Sequence, residues 1–99
     1  MVDLAAAESF DWDDGNARKN LEKHGVSQAE AEQVFASEPL LADDVKHSQA
    51  EPRFQALGKT IDGRFLHVTF TLRGNDKKIR VISAREMNRK ERAIYDEKT

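Results

Sequence analysis

Four groups of residues in this chain have the types and spacing for acid–base chemistry on an anion. His24 sits in Lys23-His24-Gly25, where a helix is expected to end. The helix dipole favours a protonated imidazole there, as a general acid requires, although a capping or packing histidine has the same signature. Glu51-Pro52-Arg53 places a carboxylate and a guanidinium on one side of an extended segment. Glu51 is then a candidate general base and Arg53 a candidate phosphate ligand, with a plain surface ion pair as the alternative. Arg73 stands where a strand is expected to enter a turn, a position that often carries function but is also an ordinary one for a solvated arginine. Ser83-Ala84-Arg85 leads a strand into an expected helix N-terminus, whose free N–H groups bind anions and where Arg85 adds a charged fork. Pairing of Arg85 with a nearby carboxylate is the other use of that arginine. Arg80, Arg89, Lys90 and Arg92 add positive charge around it.

The elements that must hold these groups follow from the local pattern. Residues 1–8 read as a flexible N-terminal extension and residues 9–97 as a single domain. Phe10 and Trp12 alternate with acidic residues, which suits a short edge strand. Asp13 or Asp14 then caps a helix whose stripe is Ala17, Asn20, Leu21 and His24, with Gly25 as its stop. Ser27 and Glu30 have the capping-box spacing for a second helix that buries Ala31, Val34 and Phe35 and ends before Pro39. Leu40-Leu41-Ala42 is a short strand candidate. Three more follow at about 53–59, 64–72 and 78–83, separated by Gly63 and Gly74-Asn75-Asp76. In the middle strand Leu66, Val68, Phe70 and Leu72 share a core face, and Phe65, His67, Thr69, Thr71 and Arg73 share a polar one suited to a working surface. Ser83 and Glu86 have capping-box spacing again and predict a last helix running from there to about Tyr95. Short turns between the late strands favour an antiparallel meander. The fold class is therefore α+β: an antiparallel sheet with helices packed largely on one face, in two layers.

Composition bounds the function classes. The 99 residues suffice for one domain with a small core, being 38% hydrophobic and 34% charged. No segment approaches the roughly 18 apolar residues of a membrane span, and the acidic start lacks the pattern of a secretory signal. With no cysteine, thiolate metal sites and disulfides are excluded. His24, His47 and His67 lack metal-ligand spacing, so no metal or cofactor is expected. The net charge of −2 hides an asymmetry: residues 1–51 carry 4 Lys/Arg and 12 Asp/Glu (−8), whereas residues 73–92 carry 8 and 3 (+5). A basic face on an acidic body suits a polyanion or an acidic partner.

In order and spacing these pieces resemble one family. Phe10-Asp11-Trp12-Asp13, Asn20, Lys23-His24-Gly25-Val26, Ala31 and Val34-Phe35 resemble the N-terminal half of the BrnT toxins. So do Glu51-Pro52-Arg53-Phe54, Gly58, Gly63-Arg64 and Arg73, and then Ile79-Arg80-Val81-Ile82-Ser83-Ala84-Arg85 with Glu91-Arg92 and Tyr95. The chain departs from the family pattern in its acidic, Ala-rich start, in Asp14-Gly15-Asn16 where a lysine is common, and in Pro52. The resemblance implies a RelE-like fold and a cytoplasmic ribonuclease toxin that inhibits translation and growth. It also implies neutralisation by a DNA-binding antitoxin of the BrnA type, in a hetero-oligomer that meets operator DNA only through the antitoxin.

Metal-independent RNA cleavage needs a base for the ribose 2′-hydroxyl, positive groups around the phosphate and an acid for the leaving 5′-oxygen. Glu51 or His24 is the candidate base. Arg53, Arg73 and Arg85 are the candidate phosphate ligands. His24 or Lys23 is the candidate acid. Lys23, Arg64, Arg80 and Arg89 are expected to contact substrate. A 2′,3′-cyclic phosphate product is then expected. The competing class is a non-catalytic module that binds RNA or protein through its basic C-terminal region.

Overall fold

The alternation along residues 65–72 is realised as a strand buried on both sides. Leu66, Val68 and Phe70 are fully buried on one face, and on the other His67 is 5% and Thr71 1% exposed. The computed structural model describes residues 2–47 and 50–99. Its elements are β1 (Ser9–Asp11), α1 (Asp14–His24), α2 (Gln28–Ala36), β2 (Leu40–Asp43), a short 3₁₀ turn (Val45–His47), β3 (Phe54–Lys59), β4 (Phe65–Arg73), β5 (Lys78–Glu86) and α3 (Arg89–Lys98). The strands form one sheet in the order β1-β5-β4-β3-β2. Neighbours run antiparallel except for β1, which joins β5 in parallel. The α+β class and the largely antiparallel sheet are thus as expected.

Helices α1 and α2 cover one face. Asp13 caps α1 by accepting from Asn16 N–H, and Gly25 ends it at φ 67°, a conformation glycine takes without a Cβ penalty. Ser27 and Glu30 form the expected reciprocal capping box at the start of α2. Val26, Ala31 and Val34 join Ala56, Leu66, Val68, Phe70, Ile79, Val81 and Ala84 in the core. Phe35 stacks edge-on against Phe70 at 5.0 Å and against Phe10 at 5.4 Å. On the α1 stripe one expectation fails: Leu21 is 50% exposed, whereas Asn20 on the same stripe is buried. The reason is the sheet edge. Beyond Arg80, β5 has no strand on its outer side, and α1 lies along it. Asn16 Nδ2 donates to Val81 O, Asn20 Nδ2 donates to Ala84 O, and Asn20 Oδ1 accepts from Ala84 N–H. Two asparagines thereby satisfy backbone groups that a neighbouring strand would otherwise pair.

Three further differences bear on the site. The expected helix start at Ser83 is wrong, since β5 continues to Glu86 and pairs Leu66 with Glu86, His67 with Arg85 and Val68 with Ala84. Helix α3 begins six residues later, where Asn88 and Glu91 supply the capping box. Second, α3 lies across the other face of the sheet at one end, with Tyr95 edge-on to Phe65 at 5.8 Å and Arg92 over the Phe65 ring at 3.4 Å. Third, residues 2–8 are not a loose end. Val2, Leu4 and Ala7 pack against the core, and Glu8 N–H donates to Lys77 O. Among the described residues, no helix is long and apolar enough to cross a membrane.

Candidate functional site

On the sheet face opposite α1 and α2, α3 covers one end and Glu51-Pro52-Arg53 lies over Thr71 at the other, and most of the sequence-predicted cations lie on this face. Paired residues in a sheet point to the same side. His67 faces Arg85, Thr69 faces Ser83 and Thr71 faces Arg80, after a bulge that leaves Ile82 as the extra residue between Thr69/Ser83 and Phe70/Val81. Arg53 precedes Phe54 and Gln55 by one and two residues, so alternation puts it on the same face as Thr69 and Thr71.

At the end away from α3 a charged corner is built from three segments. Thr71 Oγ donates to Pro52 O at 2.6 Å and fastens Glu51-Pro52-Arg53 to β4. Asp44 N–H donates to Arg53 O at 2.8 Å, tying the segment to the end of β2 as well. Glu51 and Arg53 line an open cavity of ≈ 340 Å³ with Lys46, His47 and Ala50. Arg73 reaches Glu51 at 3.6 Å and Asp11 at 3.8 Å. Arg80 continues the row, 3.9 Å from Asp11 and 2.6 Å from Asp13. Glu51 thus shares a cavity with Arg53 and an ion pair with Arg73, with Arg80 beside them.

The same corner contains a histidine that sequence reasoning set aside for want of metal spacing. His47 Nδ1 lies 3.1 Å from both oxygens of Asp44. The Asp44 side chain is 8% exposed and that of His47 is 59%. A carboxylate can only accept, so it selects the tautomer with the proton on Nδ1 and leaves Nε2 directed to exchange protons elsewhere. Asp44-x-x-His47 is a spacing that brings two side chains together over one helical turn. That signal is present in the sequence, beside the more conspicuous Lys23-His24-Gly25.

Arg85 does not join this corner. It pairs with His67, six positions along β4 from Arg73, which at strand rise is about 20 Å. Nor does it sit at a helix N-terminus. Its guanidinium holds Glu91 in a fork, Nη1 to Oε1 at 2.7 Å and Nη2 to Oε2 at 2.8 Å. Behind that pair lies His67, its Nε2 3.6 Å from Glu91 and its Nδ1 without a hydrogen-bond partner among the described residues. Burial pushes the His67 imidazole below its usual pKa of 6.5, outweighing the Glu91 carboxylate. Burial also works to raise the Glu91 carboxyl, but the Arg85 fork and the Asn88 N–H hold it below the usual value of 4.5. The result is a neutral histidine beside an ionised, hydrogen-bonded glutamate. Arg89 opens α3 at this end and is exposed.

The remaining candidates lie elsewhere. His24 and Lys23 line a small pocket of ≈ 150 Å³ at the β5 edge with Asn16, Lys19, Asn20, Ile82 and Ser83. Ser83 pairs with Thr69, so this pocket opens beside the middle of the sheet and not at the Glu51 corner. Arg64 lies off the polar face, on the side of Leu66. Its Nη1 donates to Glu30 and Gly25 O and its Nη2 to Glu86, which makes it a clamp between α2, the α1–α2 turn and β5. The expectation that His24, Glu51, Arg53, Arg73 and Arg85 gather at one phosphate is therefore not met, since His24 and Arg85 lie apart from the other three. The groups on the polar face form a corner and a row.

Residues 12–91 match the family described as ribonuclease toxin, BrnT, of type II toxin-antitoxin system. The 1.1 Å crystal structure of the Brucella abortus ribonuclease toxin BrnT superposes with a TM-score of 0.59 at 23% identity, covering 82% of this chain and 97% of that one. That likeness is one of fold. No curated protein matches the chain. On the family match over residues 12–91, the chain belongs to the BrnT ribonuclease toxins of type II toxin-antitoxin systems.

Proposed function

We propose that the protein cleaves RNA without a metal at the Glu51 corner, with the strand laid along the polar sheet face. Glu51 takes the proton from the ribose 2′-hydroxyl. Arg53 and Arg73 hold the phosphate as charge develops on its oxygens. His47, acting as the imidazolium with its Nδ1–H held by Asp44, gives its Nε2 proton to the departing 5′-oxygen and is left as the neutral Nδ1–H tautomer. The products are a 2′,3′-cyclic phosphate and a 5′-hydroxyl. Arg80, Arg85 and Arg89 contact phosphates further along the strand, and Lys23 and His24 approach it from the β5 edge. Cleavage of cytoplasmic RNA in this way stops translation and growth. A BrnA-type DNA-binding antitoxin neutralises it by binding the toxin, and the complex reaches operator DNA through the antitoxin.

The observation that carries this reading is the convergence of Glu51, Arg53, Arg73 and the His47–Asp44 pair around one open cavity and one strand end. The earlier candidates His24 and Lys23 line a different pocket, so the acid role passes to His47.

The test is cleavage of a single-stranded transcript by purified protein, in chelator, with the product ends identified. Glu51→Gln and His47→Ala should each lower kcat by about 10² or more, a typical contribution of a general base or acid. Arg73→Ala should fall in a similar range, as for loss of one charge-stabilising donor. All-deoxy substrate should stay whole, since it has no 2′-hydroxyl nucleophile. Bound but intact RNA would move the chain to the non-catalytic class. Activity that survives Glu51→Gln, or that chelator abolishes, would overturn the mechanism.

A further inference from the structure

The pairing of Arg85 with Glu91 admits two opposite interpretations, and the geometry of the guanidinium decides between them. A carboxylate on an arginine that should bind phosphate would ordinarily be a competitor. A guanidinium, however, carries five N–H groups arranged as two parallel-donor edges. Glu91 occupies the Nη1–Nη2 edge at 2.7 and 2.8 Å, and Glu86 O accepts the other Nη1 proton at 3.1 Å. The Nε–H and the second Nη2 proton have no partner among the described residues. They make up the second edge, the kind of fork that takes two phosphate oxygens at once. The Arg85 side chain is 35% exposed, so solvent reaches it.

Glu91 is itself fixed. Its Oε1 accepts from Asn88 N–H at 3.0 Å in the capping box of α3, and buried His67 backs its Oε2 at 3.6 Å. Arg85 hangs from the polar side of β5, where Ala84 beside it is buried in the core on the other side. A long flexible side chain at that position would sample many rotamers in the absence of a partner.

We infer that Glu91 is a positioning residue for RNA binding: it holds Arg85 so that the Nε–Nη2 edge faces the strand. The inference rests on the proposed role of the polar face in binding RNA. It gives α3 a task at the site without placing any of its atoms against substrate.

The sign of one substitution separates this from simple electrostatics. Glu91→Gln removes a negative charge from an RNA-binding face, so charge counting alone predicts tighter binding. It keeps the capping box, because glutamine serves at that position too. It disrupts the fork, because an amide offers one acceptor and turns a donor toward the guanidinium. Binding is measured by fluorescence anisotropy with an uncleavable 2′-O-methyl oligoribonucleotide of one sequence. Thermal melts confirm that each variant is folded.

Arg85→Ala should weaken binding about ten-fold, as for a lost charged hydrogen bond. Glu91→Gln should weaken it several-fold, and the double variant should be no weaker than Arg85→Ala, because Glu91 acts through Arg85. In cleavage the loss should appear in KM, with kcat kept, since Arg85 pairs with His67, six strand positions from Arg73. Tighter or unchanged binding by a folded Glu91→Gln protein overturns the inference alone. Wild-type affinity in Arg85→Ala overturns the phosphate role of Arg85, and the positioning with it, while leaving the Glu51 chemistry to its own test.

Discussion

Asn20 shows how a single polar side chain can do what an apolar stripe was expected to do. It is 6% exposed and joins three backbone groups: Nδ2 donates to Val26 O and Ala84 O, and Oδ1 accepts from Ala84 N–H. Leu21 beside it points to water because the partner of α1 here is a strand edge with unpaired N–H and C=O groups, which apolar carbons cannot satisfy. Removing the amide leaves those groups buried without partners. Asn20→Ala should lower the unfolding free energy by about 2–4 kcal/mol, given a cost of roughly 1–3 kcal/mol for each buried group left unpaired. Asn20→Asp should be at least as harmful at neutral pH, because a carboxylate would face two carbonyl oxygens, and milder in acid, where it can donate. Urea melts at both pH values check this; a neutral Asn20→Ala would mean that α1 does not seal β5. His47 is less conspicuous in the sequence than His24 for a related reason. The value of His47 comes from the buried Asp44 one helical turn away, and burial is a property of the fold.

At the scale of elements, local signals worked where the chain end of an element is decided locally. The capping boxes at Ser27–Glu30 and the glycine stop at Gly25 stand as read. Ser83–Glu86 has the same spacing as Ser27–Glu30 and caps nothing, because residues 84–86 find backbone partners in β4 and Ala84 fills the core. Long-range pairing overrides a local cap, and no four-residue window can report that. The polar face was legible as an alternation in β4, and the same alternation puts Arg64 on the side of Leu66, whereas its partners Glu30 and Glu86 come from other elements. Gly58 belongs to this scale as well. A Cβ there would meet Ser37 Oγ at 2.7 Å, Val34 Cγ1 at 3.0 Å and Val34 O at 3.2 Å. The glycine thus lets the C-terminal end of α2 approach β3. Gly58→Ala should cost about 1–3 kcal/mol, the usual penalty of overpacking, with unfolding still cooperative. Adding Ser37→Ala removes the nearest clash and should recover part of the loss. Equal melting temperatures for Gly58→Ala and wild type would show that α2 and β3 have room to separate.

For the whole molecule, the sheet divides a dry layer under α1 and α2 from a charged layer that α3 only partly covers. The groups at that partly covered end set the response to acid. His67 faces Glu91 from α3, Arg85 from β5 and, more distantly, Asp44 after β2. Its folded pKa lies below 6.5 chiefly through burial, so below pH 6.5 the unfolded chain binds a proton that the folded chain resists. Stability therefore falls with falling pH from about 6.5 downward. The carboxyls act in a second window. Glu91 and Glu30 sit below 4.5 and Asp13 below 3.8 when folded, so the stability they contribute is present above those values and is lost as pH drops through the folded ones. Urea midpoints between pH 8 and pH 3 should decline in two stages. His67→Gln should flatten the first stage and leave the second, because glutamine does not titrate and the carboxyls are unchanged. A wild-type midpoint that stays level between pH 7 and pH 5 would mean that His67 is hydrated in solution, and that α3 does not rest on the sheet as closely as its Glu91, Arg92 and Tyr95 contacts require.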